Sequence, residues 1–188
     1  MVGGSAYVAA GDEDGGRGQV ARVPLDSGDA RWEQRVAGDP FVGGVDGDVA
    51  VFFWDDADSG AVTAGAYDVD SGESSWEQDI GQDQDATVIA VEGGRVVLTS
   101  PGLVTALEAA TGEQAWRKSA DSGDDAPLAG VREGVVYVAD GERTVAGYAL
   151  ADGERTLRFE GSARANDIDV RDGRIFVASD DGAVYAVT

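Results

Sequence analysis

Two markers recur through the 188 residues with one period, out of phase with each other. The first is a turn. SGDARW, SGESSW, TGEQAW and DGERTL share a frame, with glycines at Gly28, Gly72, Gly112 and Gly153, spaced 44, 40 and 41 apart. Four residues after each glycine stand Trp32, Trp76, Trp116 and then Leu157. The second marker opens a β-type run. GSAYVAA, GDVAVFF, GRVVLTS, GVVYVAD and GRIFVAS begin at Gly4, Gly47, Gly94, Gly134 and Gly173, at intervals of 43, 47, 40 and 39. Biased composition does not hold two phases together over a whole chain; a tandemly copied unit of about forty residues does.

Each unit contains four short β-type runs. In the third copy these are 86–91, 95–99, 104–107 and 114–118, separated by Gly-containing turns at 92–94, 100–102 and 111–112. Such runs predict antiparallel hairpins in series. Val96–Leu98 is apolar on successive residues, as a strand buried on both faces should be. No window carries a sustained 3.6-residue pattern, so little helix is expected.

The turn and its tryptophan carry the most specific signal. In ALEAATGEQAW, Ala106 lies six residues before Gly112 and Glu108 four before it; the second copy matches with Ala66, Asp68, Ser71, Gly72 and Trp76. A glycine there takes positive φ at little cost and permits a tight hairpin with a bulge. An acid before the turn can accept from the turn's N–H groups. A tryptophan at fixed offset can lie over that turn and fill the gap to the neighbouring sheet, its indole N–H finding a backbone acceptor.

This pattern resembles the A-x-D-x-x-T-G-x-x-x-W docking motif of the PQQ-type β-propeller repeat, found in quinoprotein dehydrogenases and in BamB-like non-catalytic propellers. The resemblance is strong at Gly72 and Gly112. It is weaker at Gly28, where Arg22 and Pro24 replace the Ala and the acid, and at Gly153, where Leu157 replaces Trp and Ala149 the acid. It implies an all-β fold: a β-propeller of four-stranded antiparallel blades, a partial ring of four to five blades spanning 1–188. Strands are lettered A to D from the axis outward. The reading gives a partial blade over 1–37 lacking A, blades over 40–81, 85–120 and 126–161, and a partial blade over 166–188 lacking D. Eighteen strands are expected, with ends that do not close on each other. The chain therefore reads as part of a longer propeller, or as a ring completed by another copy. An open arc exposes the inner faces of its end blades, so self-association is expected, a ring-completing homodimer being its simplest form. The edge at Val184–Val187 is a further place for another chain's strand to pair.

Composition narrows the function. There is no Cys and no His, so thiol chemistry, imidazole ligands and a Ser-His-Asp triad are excluded. The net charge of −22 repels phosphate backbones, so no nucleic-acid partner is expected. No stretch approaches the length needed to span a bilayer as a helix, so no membrane insertion is expected. MVGGSAYVAAGDEDGG lacks the basic region of a signal peptide. The acids are 25 Asp and 11 Glu, and the bases 13 Arg and the single Lys118. Spread over every loop, this composition resembles that of salt-in haloarchaea, where molar salt screens the self-repulsion; an ordinary acidic protein with a cation or basic partner is the other reading.

Few residues invite chemistry. Asp12-Glu13-Asp14, Asp55-Asp56-x-Asp58 and Asp124-Asp125 are the densest acidic clusters; none has the spacing of a calcium loop, and they read as solvated. The resemblance admits an enzyme reading, a fragment of a PQQ- and calcium-dependent dehydrogenase with a Trp floor, an Asp base and often a vicinal Cys pair. Trp32, Trp76 and Trp116 sit in docking positions, which leaves Trp54, either stacked on a ligand at the propeller mouth or packed between blades. No carboxylate can be assigned to catalysis, and no cofactor or metal residue is expected; PQQ and Ca enter only through the resemblance. The preferred reading is a non-catalytic scaffold that binds a protein partner. The longest departure from the period, Trp54–Ala61, marks a candidate partner loop at Trp54, Asp55, Asp56 and Asp58. Family analogy suggests a cell-surface or envelope location.

Overall fold

The computed structural model describes residues 4–12, 16–56, 59–82, 86–120, 129–140, 143–171 and 174–187. Among them the chain forms eighteen strands and no helix, in five antiparallel sheets. The first sheet is β1 (Ser5–Gly11), β2 (Arg17–Pro24) and β3 (Trp32–Ala37). The second is β4 (Asp39–Asp46), β5 (Val49–Asp55), β6 (Ala61–Asp68) and β7 (Ser74–Gln82). The third is β8 (Thr87–Glu92), β9 (Arg95–Ser100), β10 (Leu103–Glu108) and β11 (Gln114–Ser119). The fourth is β12 (Ala129–Arg132), β13 (Val135–Asp140), β14 (Thr144–Ala149) and β15 (Arg155–Glu160). The fifth is β16 (Ala165–Arg171), β17 (Arg174–Ser179) and β18 (Val184–Val187). Strand order follows chain order in every sheet, because each connection is a hairpin. Among the described residues no helix is long and apolar enough to cross a membrane.

The sheets pack face to face in sequence. Their leading strands meet in order: β1 on β4, β4 on β8, β8 on β12 and β12 on β16. Alternation along the middle strands makes this possible. On β5, Ala50, Phe52 and Trp54 enter the cluster shared with the first sheet, while Val51 enters the cluster shared with the third. On β9, Val96 and Leu98 turn to the second sheet and Val97 to the fourth. On β13, Val136 and Val138 face the third sheet and Ala139 the fifth. Four apolar clusters thus join the five sheets pairwise; among the described residues none joins the fifth to the first. The ring is partial, and its two end faces expose Val8 and Leu25 on the first sheet and Val184 on the fifth.

The glycine frame needs one correction. Val51 pairs with Ala66 as Val97 pairs with Ala106. The carbonyls that accept from Leu25, Val69, Ala109 and Leu150 belong to Gly4, Asp48, Gly94 and Gly134. The structural equivalent of Gly94 in the second unit is therefore Asp48, and Gly47 stands one residue early, in the place of Gly93. The A–B turn tolerates this because Gly47, Gly93 and Gly94 all hold positive φ there.

Candidate functional site

Each of the three tryptophans after a turn glycine reaches across to the next sheet. Trp32 Nε1 donates to Val69 O at 2.9 Å, Trp76 Nε1 to Ala109 O at 2.8 Å, and Trp116 Nε1 to Leu150 O at 2.9 Å. In each case the acceptor lies three residues before the glycine of the following unit. The ring then covers that glycine. A Cβ at Gly72 would come within 2.5 Å of Trp32 Cγ, one at Gly112 within 2.8 Å of Trp76 Cδ2, and one at Gly153 within 2.9 Å of Trp116 Cδ2. Sequence reasoning put the indole over its own turn; the structure puts it over the turn one period later. The carbonyl is held ready for it, because the N–H of the same acceptor residue is tied to the A–B turn: Val69 N to Asp48 O, Ala109 N to Gly94 O, Leu150 N to Gly134 O.

The turns share one backbone. Gly28, Gly72, Gly112 and Gly153 hold φ between +70° and +74°, and each donates its N–H to the carbonyl four residues back. A bulge follows in the second, third and fourth sheets, where the register shifts after Ala66, Ala106 and Gly147. Asp68 closes its turn through Oδ1, which accepts from the N–H of Asp70 and Ser71 and from the Ser71 hydroxyl. Those bonds, the Ser71 N–H first, hold its carboxyl below the usual Asp range. The matching acid of the third unit does something else. Glu108 pairs with Arg95 at 2.6 Å, while Thr111 Oγ1 receives the Glu113 N–H as Ser71 Oγ receives that of Glu73.

Arg22, which departs from the motif, proves to belong to the clasp. Its Nη1 donates to Val69 O at 2.6 Å and pairs with Asp70 at 2.8 Å, while Nε donates to Ser5 Oγ. Val69 O therefore accepts from both Trp32 and Arg22. Trp32 also stacks on Tyr67 and meets Phe52 edge-on. Burial among these rings, with Glu77 nearby, raises the Tyr67 hydroxyl well above the ordinary tyrosine range. At the other end, Leu157 faces Tyr185 and Val187 in the last cluster; having no N–H, it needs no acceptor.

Trp54 takes the packing place of the two left open to it. It is 5% exposed, lies between the first two sheets, and its ring fills the space where Gly65 lacks a Cβ. A partner loop therefore cannot present it. Asp55 ends β5, and Asp56 forms the turn, its Oδ1 accepting from Ser59 N at 2.9 Å. Asp58 lies outside the described residues, as do Glu13, Asp14, Asp124 and Asp125. The loop has a companion: the β1–β2 hairpin is extended in the same way, and Gly38 joins the two, bonding Gly16 O and resting on the Asp55 carbonyl. Beside it an open cleft of about 350 Å³ is lined by Asp12, Arg17, Gln19 and Arg35. Among the described residues no group of three or more acids is placed to hold a metal.

The family model described as outer membrane protein assembly factor BamB matches residues 58–156 and 100–188, together more than half of the chain. Three solved structures have the same fold. BamB from Moraxella catarrhalis matches with TM-score 0.58 and 19% identity over 95% of this chain and 60% of its own. The computationally designed Ika8 protein matches with TM-score 0.67 and 17% identity over 96% and 54%. The designed Ika4 protein matches with TM-score 0.56 and 16% identity over 78% and 90%. The chain thus spans less than two thirds of the length of BamB and of Ika8. No curated protein sequence matches it.

Proposed function

Because the chain belongs to the BamB-like family of PQQ-type β-propeller repeat proteins, we propose that it is a non-catalytic binding scaffold of a halophile's cell envelope. One observation carries the reading. All four indoles are engaged between sheets: Trp32, Trp76 and Trp116 are clasped to the next sheet and Trp54 is buried in the first interface. A quinone on the axis needs an aromatic floor, and no indole is left to form one. What the fold offers instead is a rigid fan with two long hairpins side by side and two uncovered end faces, the places where a protein partner or a second copy would bind.

The name of the matched family speaks of assembling outer-membrane proteins. What carries over to this chain is the scaffold character and the envelope location, not that client. The test is to incubate the purified protein with PQQ and Ca²⁺ in molar salt. The scaffold reading expects neither a complex nor dye-linked alcohol oxidation. A tight complex that oxidises alcohols would replace it with the alternative, part of a quinoprotein dehydrogenase. Cell fractionation checks the location: the protein is expected with the envelope, and recovery only in the soluble cytosol would contradict that part.

A further inference from the structure

The second and third sheets, both four-stranded, fill the space between them less completely than their neighbours do. Between the first and second sheets Trp32 and Val36 are buried, and between the third and fourth Trp116 and Ala120 are. Their counterparts between the second and third, Trp76 and Ile80, are only half-buried. Four substitutions on one face account for this. Toward the first sheet, the second presents Trp54, Gly65, Tyr67 and Glu77. The Trp54 ring lies over Gly65, and the Tyr67 hydroxyl donates to Glu77 Oε1 at 3.2 Å. By strand register the third sheet has Ser100, Thr105, Leu107 and Arg117 in those places. Both rings are gone, and an open cleft of about 280 Å³ runs there, between β7 and the outer half of the third sheet. The fourth sheet keeps one ring, Tyr148, which meets Trp116 and lies under the Lys118 ammonium.

Alternation on β7 turns Gln78 and Ile80 into the cleft and Asp79 to the opposite face with Thr63. Ile80, Leu98 and Leu107 make an apolar bed, and the Ser100 and Thr105 hydroxyls lie beside it. The charged side chain that the lining residues turn inward is therefore Arg117. It forms no ion pair among the described residues, in a chain of net charge −22. Where Glu77 accepts from the hydroxyl of a built-in ring, Arg117 offers a guanidinium, which pairs with a carboxylate. We propose that this cleft binds a small aryl carboxylate, its ring in the space that Trp54 and Tyr67 fill one sheet earlier and its carboxylate on Arg117. An apolar bed with a few convergent polar groups is the usual make-up of a small-molecule site, and the volume suits one ring or two fused ones. The proposal goes beyond the scaffold reading and does not depend on it.

Indole-3-acetate is the probe, added to the full chain in molar salt and followed through the four indole N–H signals of nitrogen-15-labelled protein. The Trp76 signal is expected to move saturably while those of Trp32 and Trp116 stay in place. Arg117→Gln should weaken binding about tenfold, the worth of one charge-assisted hydrogen bond, and bring it level with that of indole-3-ethanol, which lacks the carboxylate. Arg158→Gln, at the matching place in the fourth sheet, should leave it unchanged. Leu107→Tyr copies Tyr67 and Tyr148; it should bury Trp76 and abolish binding of both probes. A second filled variant, Ser100→Trp with Thr105→Gly, copies Trp54 and Gly65 and should do the same. A Trp76 signal that stays in place up to the solubility limit of indole-3-acetate would overturn the proposal. So would equal affinity in Arg117→Gln, or binding that survives in a filled variant that folds.

Discussion

Trp116→Ala isolates one clasp. The side chain is 6% exposed and packs with Val97, Val104, Val136, Val138 and Leu150 across the third and fourth sheets. Removing a buried aromatic ring costs about 3–5 kcal/mol. Within that figure sits the Leu150 carbonyl, which loses its donor at 2.9 Å; a buried group left without a partner costs about 1–3 kcal/mol. Trp116→Phe keeps most of the packing and should show mainly that second part. For a chain of this size each kcal/mol moves the melting point by roughly 2–4 °C, so the Ala variant should melt about 6–20 °C lower. The assay is urea and thermal unfolding in molar salt, followed by far-ultraviolet circular dichroism and by fluorescence of the remaining tryptophans. Because the apolar clusters of the described residues each join two neighbouring sheets, hydrogen exchange should quicken around Leu150–Glu154 and stay slow around Val69–Glu73. An unchanged midpoint, or equal loss of protection at both turns, would refute the clasp.

Three further outcomes follow from the same geometry. Gly28→Ala and Gly72→Ala meet the same left-handed backbone, worth about 1–2 kcal/mol each, but only the second also displaces Trp32; Gly72→Ala should be the more destabilising by chemical denaturation, and equal costs would contradict the seating of Trp32. Asp68 should titrate below the ordinary Asp range, with Ser71→Ala moving it upward. Its folded pKa is depressed, so its contribution is complete above about pH 4 and is lost as pH falls through the folded value; carbon-detected NMR titration of the carboxyl reads this, and because Ser71→Ala keeps the backbone N–H, a midpoint it leaves unmoved would remove the Ser71 hydroxyl, not the turn's N–H, as a cause. With a net charge of −22, dilution from molar salt, where the Debye length is about 3 Å, to 0.1 M, where it is about 10 Å, should lower the melting point steeply; a flat profile would argue against halophilic adaptation.

The repeat was legible because two markers, the Gly–Trp turn and the apolar strand, are each fixed by local chemistry. Backbone φ requires the glycine, and two-sided burial requires Val96–Leu98. What was not legible is what one copy borrows from the next. A motif repeated every unit looks the same whether its tryptophan covers its own turn or the following one, so the partnership of Trp32 with Val69 and Gly72 needed coordinates. The substitutions that weakened the first copy hid a second donor: Arg22 stands where Ala66 and Ala106 are buried, and its guanidinium reaches Val69 O and Asp70 because that interface ends in an acidic turn. An arginine at an interior position of the frame was the available signal. Trp54 misled for the opposite reason. It follows three apolar residues next to two aspartates, which reads as a strand end near solvent, yet alternation from Ala50 and Phe52 carries it inward and Gly65 leaves room for it.

The claim beneath all of this is that each indole hydrogen-bonds the sheet one period ahead. Scalar coupling through the hydrogen bond, between indole nitrogens and carbonyl carbons of labelled protein, tests it atom by atom. Three correlations are expected, from Trp32 to Val69, Trp76 to Ala109 and Trp116 to Leu150. Correlations to carbonyls within the same unit, or indole protons that exchange at the rate of a solvated tryptophan, would contradict it.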